Sequence, residues 1–250
     1  MDSLQDNLHI KMSRCQNSAW PNLNFCTCLD LSMSNISKAT NRIPERFTPE
    51  NTTILMVDYS IGFANIFRSH TFNDNNRAAV SLAKTAMGFK MGFVFNLGAG
   101  QKPYPDLVKA VGDHPIIYRG GEYNALDSPK VAEAVKNTGA THLAIAGIST
   151  EGCVLYTALG ALRQGYTVAI VEDATAGETL EAHNYAMQRM IQAGIIPTTV
   201  ISFATELQND WASQKTAQAY FNMIADAEPG LKLGIDAEHA NAAKEGASPA

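Results

Sequence analysis

Along residues 52–202, short apolar runs alternate with longer stretches of helical period. The runs are TTILMV at 52–57, GFVFN at 92–96, PIIY at 115–118, HLAIAG at 142–147, YTVAIVED at 166–173 and PTTVIS at 197–202. Most are near-continuous in hydrophobicity, as strands are when both faces of their sheet are covered. Between them lie NNRAAVSLAKTAMGFK (75–90), DLVKAVG (106–112), SPKVAEAVKNTG (128–139), CVLYTALGALRQG (153–165) and TLEAHNYAMQRMIQAG (179–194), which read as helices. Residues 204–227 read as mostly helical. The third helix has its punctuation in place, with Ser128 as N-cap, Pro129 at the first position and Gly139 past the end.

Strands alternating with helices specify βαβ units and a parallel sheet. Right-handed crossovers then leave an α/β fold: a doubly wound three-layer α/β/α sandwich on a six-stranded, mainly parallel sheet. Strand order 3-2-1-4-5-6 is expected. Residues 1–50 are rich in Asn, Ser and Thr without periodicity and read as a flexible extension. Residues 51–228 form one domain, and 229–250 are expected to be a flexible tail.

Composition narrows the function classes. A net charge of −5 gives no basic field for nucleic acid or an anionic membrane. The apolar runs are too short to span a bilayer. The start carries Asp2 and Asp6 without an apolar block, so no signal peptide is expected. Cys15, Cys26 and Cys28 fall in the extension; C-x-C without a second Cys or His cluster does not complete a zinc site. Cys153 is the one thiol of the folded part, which fits a reducing cytoplasm.

In such sheets the reactive crevice lies beyond the carboxyl ends of the strands, where strand order reverses. Asp58 closes the first strand, Arg119 closes the third, and Cys153 follows the fourth across a short turn. A thiol at a helix N-terminus sits among unpaired N–H groups at the positive end of the dipole, which favours thiolate. Those N–H groups can also receive an oxyanion. Each residue has a plainer reading: a cysteine after a strand as a small buried hydrophobe, an aspartate as a turn residue, an arginine as a solvated charge. Their shared rim is what favours a site.

Several segments in order strengthen that choice. AGISTEGCV (146–154) resembles the cysteine signature of the isochorismatase-like cysteine hydrolases, and ILMVDYSIGF (54–63) resembles their first strand with its Asp and following Phe. YRGGEYNALDS (118–128), EDATAGETLEAHNYAMQRMIQAG (172–194) and ATELQNDW (204–211) resemble the YcaC-type branch. The resemblance implies Cys153 as nucleophile, Asp58 as general base and acid, and Arg119 where the family usually has Lys. It implies a cis peptide at Ile148–Ser149, with the Ser149 and Cys153 N–H groups receiving the oxyanion. By family position Phe63 would line the site; Tyr123 and Asn124, just past Arg119, are further substrate-binding candidates, each equally open to plain packing. Ser60 stands where many relatives carry Gln. FNLGAGQKPYPD (95–106) holds no His, so the metal ligands of nicotinamidases have no counterpart; neither metal nor cofactor is expected.

The resulting expectation is a cytoplasmic hydrolase that cleaves a small amide-like substrate through a thioester, using Asp58, Arg119 and Cys153. A homo-oligomer is expected by resemblance. Two rival readings stand: a thiol redox or sensor protein, and a catalytically silent module on the same fold.

Overall fold

The computed structural model describes residues 45–244, Ala212 excepted. The cysteines of the extension, and most of the extension itself, lie outside the described residues. Six strands, all parallel, run in the order β3-β2-β1-β4-β5-β6. They are β1 Thr52–Val57, β2 Gly92–Gly98, β3 Ile116–Arg119, β4 His142–Gly147, β5 Thr167–Val171 and β6 Ile196–Thr198. β1 is central and wholly buried, with Ile54 and Met56 packed into one apolar layer and Leu55 and Val57 into the other. This alternation is the pleat, and it explains why a doubly covered strand contains no polar face.

The first layer is closed by α1 (Phe72–Phe89), α2 (Pro105–Val111), α6 (Val200–Gln208) and α7 (Ala217–Ala227). The second is closed by α3 (Pro129–Asn137), α4 (Leu155–Arg163) and α5 (Leu180–Gln192). Helix starts follow capping chemistry. Thr71 and Thr179 accept the N–H of Asp74 and Ala182, at 3.1 Å in both cases. Ser128 occupies the N-cap of α3 with Pro129 at its start, but its side chain makes no capping bond. Gly139, Gly165 and Gly194 follow α3, α4 and α5 with φ of 73°, 91° and 92°, the left-handed exit that glycine takes without strain.

Two segments differ from the sequence expectation. The last strand stops at Thr198, and Val200 onward is helix rather than the end of a strand over 197–202. Thr199 caps this helix by accepting Ser202 N–H at 3.3 Å, and the Asp173 carboxylate accepts Val200 N–H at 3.0 Å. The β-branched run TTV is thus divided into strand end, cap and first helical residue. The expected tail carries an eighth helix, α8, over Pro229–Lys244. Among the described residues, no helix is long and apolar enough to cross a membrane.

Candidate active site

The first strand ends where the chain must turn sharply. Asp58 takes a left-handed conformation, φ 57°, which Asp tolerates better than most residues. Its N–H donates to Asn96 O at 3.0 Å, and its Oδ1 accepts Gly98 N–H at 3.1 Å. The carboxylate is thereby fixed on the carboxyl rim between β1 and β2. On the other side of β1, Gly147 ends β4; a Cβ there would collide with the Val57 carbonyl. That close approach lets Ile148 N–H reach Val57 O at 3.1 Å.

Arg119 ends β3, two strands from β1, so its side chain crosses β2. Asn96 of β2 braces it midway: Arg119 Nε donates to Asn96 Oδ1 at 2.9 Å, while Asn96 Nδ2 donates to Met56 O at 3.0 Å. The guanidinium then forms an ion pair with Asp58 and donates to Glu122 O. Both charged side chains are only 3% exposed. A buried pair of this kind is held by its remaining hydrogen bonds, and here every arm of the guanidinium has an acceptor.

After β4 the chain passes through a cis peptide between Ile148 and Ser149 and a π-type turn over Thr150–Val154 before α4 begins. Cys153 sits in this turn, half-buried, near enough to Asp58 and Arg119 for both to act on its thiol. Asp58, Arg119 and Cys153 are therefore brought together on one rim. Burial raises Asp58 above the usual carboxylate range, opposed by the Cys153 hydrogen bond, the Arg119 charge and the Gly98 N–H. Burial also pushes the Cys153 thiol up to about 12; the Asp58 carboxylate adds to this and Arg119 opposes it. This runs against the expectation that the helix start favours thiolate. Desolvation and a neighbouring anion outweigh the Arg119 charge, so the resting group is a thiol beside a carboxylate.

The other sequence candidates divide. Phe63 ends a short 3-10 turn capped by Ser60 and packs, partly buried, against the first core layer. Tyr123 is 68% exposed. Asn124 caps a 3-10 turn, accepting Leu126 N–H at 3.1 Å and donating to Asp127 Oδ1 at 2.7 Å. Both line a groove of about 480 Å³ with Tyr156 and Arg163 of α4, a lining that includes none of Asp58, Arg119 and Cys153. Asp173 accepts a backbone N–H, as its place at a strand exit suggests.

Sequence reasoning missed Asn96. Its signal was a lone amide closing the apolar run GFVFN, one strand from each partner. His183 is buried within α5, with Nδ1 2.8 Å from Thr150 Oγ1 and Nε2 3.0 Å from Glu172 Oε1. His70 reaches the same Glu172 oxygen at 3.3 Å. Hydrogen bonds from His183 and His70 hold the Glu172 carboxyl down at about 2, and Glu172 raises His70 above its ordinary value. These three are the described residues whose donor atoms are grouped closely enough to hold a metal ion.

Comparison with known proteins agrees with this architecture. The sequence model of the isochorismatase domain matches residues 52–202. The chain is 30% identical to the probable hydrolase YcaC of Escherichia coli, over 72% of this chain and 90% of that protein. The crystal structure of E. coli YcaC, described as an octameric hydrolase of unknown specificity, superposes with a TM-score of 0.74 at 27% identity, over 79% of this chain and 98% of the other. YcaC from Pseudomonas aeruginosa, bearing hexane-2,5-diol and covalent acrylamide, gives a TM-score of 0.74 at 26% identity, over 78% and 98%. With the domain matched over most of the sheet and its two flanking layers, this chain belongs to the isochorismatase family, as a YcaC-like hydrolase.

Proposed function

We propose that the protein hydrolyses a C–N bond in a small amide-like substrate through a thioester on Cys153. The observation that carries this is a buried Asp58–Arg119 ion pair on the same rim as the one described cysteine, whose thiol both members influence. Because the thiol rests protonated, attack and proton transfer occur together. Cys153 Sγ bonds the carbonyl carbon as Asp58 takes the thiol proton. The N–H groups of Ser149 and Cys153 receive the oxyanion. The C–N bond then breaks, with Asp58 returning the proton to the departing amine. Water adds to the thioester as Asp58 takes one of its protons, the C–S bond breaks, and the sulfur regains that proton. Arg119 stays charged throughout and cannot shuttle protons; it keeps Asp58 ionised and in place. The covalent acrylamide carried by the P. aeruginosa relative, an adduct that requires a nucleophile on the protein, supports a reactive side chain in this family.

The test is ammonia release from a panel of small primary amides. Activity should disappear in Cys153→Ala and Asp58→Asn, and acid quench of the wild type should trap an acyl group on the Cys153 peptide. Full activity in Cys153→Ala would overturn the scheme. Since the E. coli relative is an octamer, we also infer a homo-oligomer; light scattering of the purified chain should give a mass several times 27.0 kDa.

A further inference from the structure

The geometry points to a divalent transition-metal site formed by His70, Glu172 and His183, of a kind that takes zinc. It uses none of the residues assigned above to hydrolysis. It also lies apart from the segment 95–106, where the absence of histidine led to the expectation of no metal.

The donors converge on one point. Glu172 Oε1 lies 3.0 Å from His183 Nε2 and 3.3 Å from His70 Nε2, and all three atoms fall within 4.8 Å of one another. A tetrahedral zinc with bonds of about 2.0–2.1 Å spaces neighbouring ligand atoms by roughly 3.3 Å. Two of the three separations already approach that value. Two imidazoles with one carboxylate are the borderline donor set that zinc prefers, with a fourth place left for water.

The surroundings orient the rings for this. In a metal-ligating histidine the other ring nitrogen is held by an outer partner, which fixes the tautomer and aims the ligating nitrogen. Both histidines have such a partner: His70 Nδ1 is 3.0 Å from Ser69 Oγ, and His183 Nδ1 is 2.8 Å from Thr150 Oγ1. Ser69 Oγ is itself fixed by accepting Gly177 N–H at 2.9 Å. Access is one-sided. The His183 side chain is 3% exposed, His70 20% and Glu172 36%, so an ion would enter over Glu172 and settle against His183. The ligands come from the loop before α1, the exit of β5 and α5, which the ion would tie together beside the turn that carries Cys153.

Zinc titration calorimetry tests this on the full chain carrying Cys15→Ser, Cys26→Ser, Cys28→Ser and Cys153→Ala, which removes every thiolate. One zinc per chain should bind, and zinc should raise the melting temperature, since an ion that binds only the folded chain stabilises it. His70→Ala and Glu172→Gln should each weaken binding by well over about 10-fold, and Ser69→Ala by about 10-fold, the scale of an outer-partner loss. X-ray absorption at the zinc edge should show nitrogen and oxygen neighbours only. His70 is partly exposed, so His70→Ala remains informative where His183→Ala fails to fold. No stoichiometric binding, or binding indifferent to both His70→Ala and Glu172→Gln, overturns the proposal.

Discussion

Cys153 and Asp58 each hold their proton more tightly than usual, and the leading cause is shared: both are withdrawn from water. Alkylation of Cys153, followed by mass spectrometry on its peptide, should therefore be slow at neutral pH and accelerate into the alkaline range. Asp58→Asn removes the repelling anion and should move the midpoint down; Arg119→Ala removes the attracting cation and should move it up. A midpoint untouched by either change would mean the three groups are not coupled. For turnover the sign runs the other way on the acid side. In the proposed mechanism the base is ionised Asp58, whose pKa is raised, so the acid limb of kcat/KM should lie above the pH at which a free carboxyl titrates. Arg119→Ala should push that limb higher still. Asn96 belongs to the same chemistry by position. Asn96→Ala would leave Arg119 Nε unpaired in a buried place, at a cost of ~1–3 kcal/mol for such a group. Chemical denaturation should show that loss, and the acid limb should move in the same direction as in Arg119→Ala.

Elements, rather than single residues, decide how the site is presented. β1, β3 and β4 deliver Asp58, Arg119 and the cysteine turn to the same rim because all strands run parallel. Much of this was legible: near-continuous apolar runs gave strands, helical period gave crossovers, and parallel topology gave a common edge. The exception at β6 shows the limit. A run of Pro, Thr and Val fits a strand by propensity, but Thr199 and Asp173 together satisfy the first N–H groups of a helix, and tertiary placement of Asp173 is invisible in the local pattern. Helix caps are open to direct measurement. Thr179→Ala removes the acceptor for Ala182 N–H at the start of α5 and should cost ~1 kcal/mol in urea unfolding. Gly147→Ala should cost more, since the new methyl would meet the Val57 carbonyl and separate β4 from β1. Wild-type stability in that variant would count against the close approach described here.

At the level of the whole molecule, what the chain pattern could not give was every relation that crosses long sequence distances without a rule. Three of the residues on the rim follow one rule, the carboxyl edge of a parallel sheet. Asn96 follows it too, but an amide closing a strand carries no chemical signature of its own. His70, Glu172 and His183 come from a loop, a strand exit and a helix, and only packing joins them. Likewise the exposed placement of Tyr123, and its distance from the cysteine turn's chemistry, depends on how the 3-10 turn at Ala125–Asp127 seats on α4, where a Cβ on Gly160 would meet Asn124.

The position of β1 has a consequence for how the protein is made. Its partners are β2, which follows soon after, and β4, whose first residue, His142, pairs with Thr52. A nascent chain that has emerged only as far as α3 carries the sheet's future middle as a naked border, with a row of unpaired amide groups flanked by the apolar residues of two core layers. Until HLAIAG leaves the ribosome, that border is open to any other extended chain nearby. Fragments ending before His142 should thus precipitate rather than fold, and the cluster of Asp58, Arg119 and Cys153, needing residues from both sides of the border, comes into being only when the border closes.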